Sequence, residues 1–262
     1  MLDRQIAVGS LAGDRVSFGL RGVDTSVGAE GRPLSWLVLG GSAGLQTFDV
    51  RRGTDSRFPS IEERFDDTAA PGLDQPPDLR FVQAVAGVDT RDQRGNPRGG
   101  GLYRAAIGMY RGSQSGAYDF NRIDVTAMQV FPIFDKKRVF IARVIAQSLD
   151  SPAGNTVPFY AMPTLGGSTT LRGFREFRFR DKNLFMLNGE YRWEAFSGMD
   201  MALFADWGDV APTWDDIDWR HLKVDYGIGF RFNTFRSVFL RFDIARSKQE
   251  GTRLVTSFSG AF

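Results

Sequence analysis

The chain has 262 residues, 33 Lys+Arg against 31 Asp+Glu for a formal net charge of +2, one His and no Cys. The absence of Cys excludes disulfides, thiolate metal sites and cysteine nucleophiles, and a single His excludes a multi-histidine metal centre. Near-balanced charge gives no overall field for nucleic acid, and no apolar run reaches the ~18–20 residues of a spanning helix. Met1–Ala12 lacks a basic region followed by an apolar core and a cleavage site, so no export signal is expected in it.

Alternation with a period of two recurs along the chain and predicts strands. In chain order they fall near Arg4–Ser10, Arg15–Val23, Leu34–Phe48, Leu79–Asp89, Gly101–Tyr110, Phe120–Phe131, Arg138–Ser148, Leu184–Glu194, Met199–Trp207, Leu222–Phe232, Ser237–Arg246 and Arg253–Phe262. Turn residues separate most of them, giving about twelve strands in one domain over 1–262. Some links are tight, such as Ser197–Gly198, and others are long and polar, such as Arg51–Asp78 and Leu149–Lys182. Asp66–Pro77 reads as a flexible loop.

The two faces of these strands differ in chemistry. Phe185, Leu187, Gly189, Tyr191 and Trp193 oppose Met186, Asn188, Glu190, Arg192 and Glu194. Val224, Tyr226, Ile228, Phe230 and Phe232 likewise oppose Lys223, Asp225 and Arg231, and Phe242 and Ile244 oppose Arg241 and Asp243. Charges of both signs on the polar face suit a wet, internally paired lumen. The aromatic-rich face suits lipid, with Trp193, Trp207, Trp214 and Trp219 near strand ends, at headgroup level. A sheet in hydrocarbon must close, because every backbone polar group there needs a protein partner. The expected fold is therefore all-β, an antiparallel transmembrane β-barrel. A soluble barrel with an ordinary apolar interior, perhaps holding a lipid, is the competing arrangement.

Leu165–Lys182 reads LGGSTTLRGFREFRFRDK and runs directly into the strand from Leu184. Its Leu171, Arg172, Gly173 and Phe174 resemble the [VL]-R-G-[FY] loop of the BamA/TamA family of outer-membrane assembly barrels, also called the bacterial surface antigen family. NGEYRW (Asn188–Trp193), LFADWGDV (Leu203–Val210), YGIGFRFNT (Tyr226–Thr234), LRFDIA (Leu240–Ala245) and GVDTRDQRGNPRGGG (Gly87–Gly101) resemble further family segments, and the chain ends on Phe262, as such barrels usually do. The resemblance covers roughly 79–262. It implies that the loop folds back into the lumen and that Arg172 meets inward acids there, here Glu190 and Asp206. That pairing agrees with elementary electrostatics, since a cation inside a barrel needs a carboxylate to offset its desolvation. Gly173 is expected to let the backbone turn tightly against the wall, and Phe174 to anchor the loop by packing.

The resemblance further implies a place in the Gram-negative outer membrane, with the bilayer, client outer-membrane proteins and accessory assembly proteins as partners. The implied role is insertion or translocation of other proteins, without chemistry, metal or cofactor. The alternative is a transport or structural barrel, the membrane part of a longer multidomain protein. Family barrels usually have sixteen strands, so about twelve would be the C-terminal part of one, or a reduced version. Other candidate sites read as ordinary structure. Asp215, Asp216 and Asp218 lack the spacing of a calcium loop, His221 has no nucleophile motif beside it, and Glu190 and Glu194 are read as inward acids near Arg192 and Arg231 rather than a glycosidase pair. The alternating Phe and Arg of Phe174–Lys182 suit a lumen-docked loop better than single-stranded nucleic acid.

Overall fold

The computed structural model describes residues 3–6, 16–113, 117–134, 136–234 and 237–258. The strands in chain order are β1 (Asp3–Ile6), β2 (Val16–Leu34), β3 (Leu37–Arg52), β4 (Leu79–Asp89), β5 (Gly100–Gly112), β6 (Phe120–Ile133), β7 (Arg138–Asp150), β8 (Thr164–Leu165), β9 (Phe179–Arg180), β10 (Asn183–Phe196), β11 (Met199–Ala211), β12 (Lys223–Asn233), β13 (Val238–Ser247) and β14 (Gly251–Phe258). Twelve of them form one sheet in chain order, with β7 paired directly to β10, and β8 and β9 form a separate two-stranded ladder inside the intervening loop. The ladders that build this sheet are antiparallel, as in β7–β10, β10–β11 and β11–β12. Among the described residues no ladder joins β14 to β1 or β2.

The expected strands are present among the described residues, with instructive shifts; of Arg4–Ser10 the part after Ile6, and Arg15 of the next strand, lie outside them. β2 runs eleven residues past Val23, because its ladder with β3 continues from Phe18↔Arg52 to Leu34↔Leu37. Gly22, Gly28 and Gly31 dilute the alternation there, so the apolar signal fades while the pairing goes on. Leu34 accordingly closes β2 rather than opening β3, and Ser35 and Trp36 make the turn. The last predicted strand begins at Gly251, and its final residues, Phe262 included, lie outside the described ones.

Directly opposed residues in a ladder share a face, so the register sorts every strand into an inner and an outer side. Asn188, Glu190, Arg192, Asp206, Asp225, Arg231 and Asp243 all fall on the inner side and are buried. Val23, Leu45, Ile107, Phe140, Leu203, Tyr226 and Leu254 fall on the outer side and are exposed. An apolar face this continuous, from β2 to β14, is far larger than a water-soluble protein leaves uncovered. The soluble-barrel arrangement is thus the reverse of what is found. Trp36 and Trp193 stand at the end with short turns. Trp219 lies in the β11–β12 loop and packs on Phe185 with ring centroids 4.8 Å apart.

The opposite end carries the long loops, and one expectation fails there. Asp66–Pro77 is an ordered, packed segment. Asp66 Oδ1 accepts the backbone N–H groups of Thr68 and Ala69 at 3.1 and 2.9 Å. The turn so made buries Ala70 and Leu73 against Val16, Phe18, Ile61, Phe159 and Tyr160. Polar composition hid this, because the apolar residues of the β3–β4 loop are widely spaced and their partners lie in the β7–β10 loop. Together the two loops form a lid over this end of the lumen.

The orientation is testable in vesicles. Leu203→Arg places a charge mid-strand on the outer face and is expected to cost about 2–4 kcal/mol in equilibrium unfolding from lipid bilayers. The same charge at inward-facing Gln83 is expected to cost under about 1 kcal/mol, because it meets water in the lumen. Equal costs at the two positions would refute the assignment of faces.

Candidate functional site: the lumen ion network

The β7–β10 loop leaves the sheet, turns back and enters the lumen. The ladder Thr164↔Arg180 and Leu165↔Phe179 closes its base. Leu171, Phe174 and Phe179 then pack with Leu165, Leu184, Met186 and Val210 in a buried apolar cluster against β10 and β11. Phe174 meets Phe179 edge-on at 5.2 Å between ring centroids. These hydrophobic contacts hold the loop and aim Arg172 at the wall.

The structure brings Arg172 to both acids expected for it. Its Nε and Nη2 donate to Asp206 Oδ2 and Oδ1 at 2.8 and 2.9 Å, a fork-to-fork pair, and its Nη1 donates to Glu190 Oε2 at 3.0 Å. The backbone N–H of Arg172 also donates to Asp206 Oδ2 at 3.3 Å. Its guanidinium lies 3.4 Å from the centroid of the Phe204 ring. Only a planar, five-donor cation makes all of these contacts at once, so lysine is no substitute.

The network extends beyond the expected trio. Glu190 Oε1 accepts from Arg192 Nη2 at 2.7 Å, and Glu190 Oε2 accepts from Arg231 Nη2 at 2.8 Å. Arg231 Nη1 donates to Asp243 Oδ1 at 2.6 Å, and Asp243 Oδ2 lies 3.1 Å from Arg241 Nε. Arg241 in turn donates to the Ser168 carbonyl, and Arg143 Nη2 to the Thr169 carbonyl at 2.6 Å. Five wall strands, β7 and β10 to β13, therefore grip one loop through charge-assisted bonds and ion pairs. Glycine makes room for it at Gly229, where a Cβ would collide with Asp243 Oδ1 and the Arg231 guanidinium.

Gly173 serves by close approach. A Cβ there would sit 2.5 Å from Asp225 Cβ and 3.0 Å from its Cγ. The Gly173 carbonyl accepts from Ser247 Oγ at 2.9 Å, and Glu250 beyond it accepts from the Arg175 backbone N–H at 2.9 Å and Arg178 Nε at 3.0 Å. Sequence reasoning placed Arg192, Arg231 and Asp243 on the inner face without linking them to the loop. It missed Phe204, Ser247 and Glu250, whose roles depend on which strands the loop lies across.

Elsewhere the candidates behave as ordinary structure. Glu194 lies on the inner side at the short-turn end of β10, away from Arg172, with its backbone N–H donated to the Lys137 carbonyl at 3.0 Å. In the β11–β12 loop His221 Nδ1 is 2.8 Å from Asp218 Oδ2, and this hydrogen bond draws the Asp218 carboxyl below its ordinary pKa. Asp216 accepts from Thr213 Oγ1 at 2.7 Å.

Removing the cation leaves buried carboxylates uncompensated. Arg172→Ala is expected to cost about 3–5 kcal/mol in unfolding free energy, with Arg172→Lys recovering part of it. Gly173→Ala, which overlaps Asp225, is expected to cost about 1–3 kcal/mol. A cycle combining Arg172→Ala with Glu190→Gln should show coupling of at least about 0.5 kcal/mol; strict additivity would show that the loop is not held by this pair.

Comparison with known proteins agrees with this geometry. The profile of the Omp85 superfamily domain matches residues 19–259. No curated protein matches the chain. Among solved structures, BamA from Haemophilus ducreyi lacking POTRA domains 1-3 superposes with a TM-score of 0.68 at 13% identity, covering 98% of this chain and 57% of that one. CdiB from Acinetobacter baumannii superposes with a TM-score of 0.52 at 15% identity, covering 97% of this chain and 44% of that one. The chain thus spans about half the length of the structures it resembles. With an outward apolar face, a charged lumen and a profile match over nearly its whole length, the chain belongs to the Omp85 superfamily.

Proposed function

We propose that this barrel assists the folding and insertion of other outer-membrane proteins, in the outer membrane of a Gram-negative type of envelope. It works without chemistry or cofactor, on client β-chains, with the bilayer as its medium and accessory assembly proteins as further partners. One observation supports the reading: the lumen beside β10–β13 is occupied by the Arg172 loop, held there by Glu190 and Asp206. A lumen occupied in this way leaves little room for a solute, while the apolar outer face meets client β-chains within the bilayer, where their backbone groups must pair with protein.

A transport role is the competing reading, and the wet part of the lumen favours it. Asp24 and Gln46, hydrogen-bonded at 2.6 Å, line β2 and β3 on the inner side, Asp24 exposed and Gln46 half-buried. Proteoliposomes separate the two. The expected result is that the protein speeds folding of a denatured client barrel several-fold over empty vesicles, and that Arg172→Ala reduces the gain. Solute flux without any acceleration would replace the assembly role by transport.

A further inference from the structure

The hairpin between β4 and β5 (90–99) is the second segment to leave the sheet and fold inward. It is rooted beside β3 and β6 but touches the wall several strands away. Asn96 Oδ1 accepts from Arg192 Nη1 at 3.0 Å on β10, and Arg98 Nη2 donates to the buried Asp200 on β11. Gly95 forms an isolated parallel bridge with Ser237, and its carbonyl accepts the Val238 backbone N–H at 3.1 Å on β13. A hairpin rooted at β4 and β5 reaches β13 only by crossing the lumen mouth. Asn96 and Pro97 are buried there, and a cavity of about 460 Å³ remains between the hairpin and the wall, bordered by Gln93, Lys137 and Glu194.

The hairpin is stiff enough to act as a strap. Asp92 Oδ1 accepts the backbone N–H groups of Arg98 and Gly99 at 2.9 and 3.2 Å, and Asp92 Oδ2 accepts from Lys136 Nζ at 3.0 Å. At its base Asp89 accepts from Arg32 and Arg91, each at 2.8 Å. Arg192 meanwhile bonds Glu190, which bonds Arg172. The strap and the Arg172 loop thus enter from opposite ends and are joined through Arg192 and Glu190.

We infer that the β4–β5 hairpin is a second lumen plug, which closes the short-turn mouth and, through Asn96 on Arg192, positions Glu190 for Arg172. Resting on the proposed assembly role, this leaves a client no passage through the short-turn mouth beside β10–β13.

The chain has no Cys, so Gly95→Cys with Ser237→Cys installs a unique pair, and bridge partners stand within the Cα separation a disulfide accepts. The disulfide is expected to form on oxidation in proteoliposomes and to leave client folding as fast as in the reduced protein. No disulfide would overturn the placement of the hairpin. A disulfide that abolishes acceleration, with recovery on reduction, would overturn the sealed route. If the reduced protein accelerates nothing, the assembly role fails, while disulfide formation still reports on the plug. The positioning half has its own readout in unfolding rates: Asn96→Ala and Arg172→Lys together should raise the rate at least about twofold less than the product of their separate effects, and a simple product would overturn it.

Discussion

Glu190 is the carboxylate on which the lumen depends. Its two oxygens accept from Arg172, Arg192 and Arg231, and none of the four side chains reaches solvent to any extent. Burying so many charges costs several kcal/mol per ion before any attraction is counted. The arrangement persists because Arg172, Arg192 and Arg231 each donate to at least one carboxylate and because Asp206 and Asp243 keep these cations from outnumbering the anions. A network of this kind adds little net stability compared with an apolar core, but it specifies one arrangement sharply. A loop inserted one residue out of register would take Arg172 from Glu190 and Asp206 and leave those buried carboxylates without their cation.

That specificity explains the division of labour between the two sides of the sheet. Outside, the residues are interchangeable hydrophobes whose task is to match lipid. Inside, they are individually placed charges whose task is to hold loops. The wall strands that hold the Arg172 loop, β10 to β13, are also the strands nearest β14 in the sheet. Ser247 and Glu250, at the β13–β14 turn, bind the loop as well. The plug and the sheet edge are therefore mechanically adjacent: a shift of the last hairpin pulls on Gly173 and Arg175 directly.

The β2–β3 side has a different character. Its inner face is largely open and its strands are long and glycine-rich, with close backbone approach where bulkier strands would need side-chain packing. The lid formed by the β3–β4 and β7–β10 loops ties the base of β2 to the opposite loop through Phe18 and Phe159, whose rings meet edge-on at 5.2 Å. Order on this side comes from the lid and from local pairs such as Glu30 with Arg104 at 2.7 Å, rather than from one connected network.

What the amino-acid sequence by itself determined was the alternation and its chemistry. A period of two with Tyr191, Phe230 and Ile244 on one side and Glu190, Arg231 and Asp243 on the other is a local property, readable within each strand, and it suffices for an antiparallel membrane sheet. The Leu171–Phe174 motif and its pairing with Glu190 and Asp206 came from the family resemblance, and the alternation placed both acids on the inner face of the strands that follow. What only the tertiary structure decided was every contact between segments that are far apart in the chain: Asn96 on Arg192, Ser247 under Gly173, Leu73 against Phe159, and the continuation of β2 beyond Val23. These depend on how the sheet curves and which strands a loop crosses. Such long-range geometry leaves no mark on the hydrophobic pattern of any one segment, because a buried polar side chain in a hydrated lumen and an exposed one in a loop have the same composition.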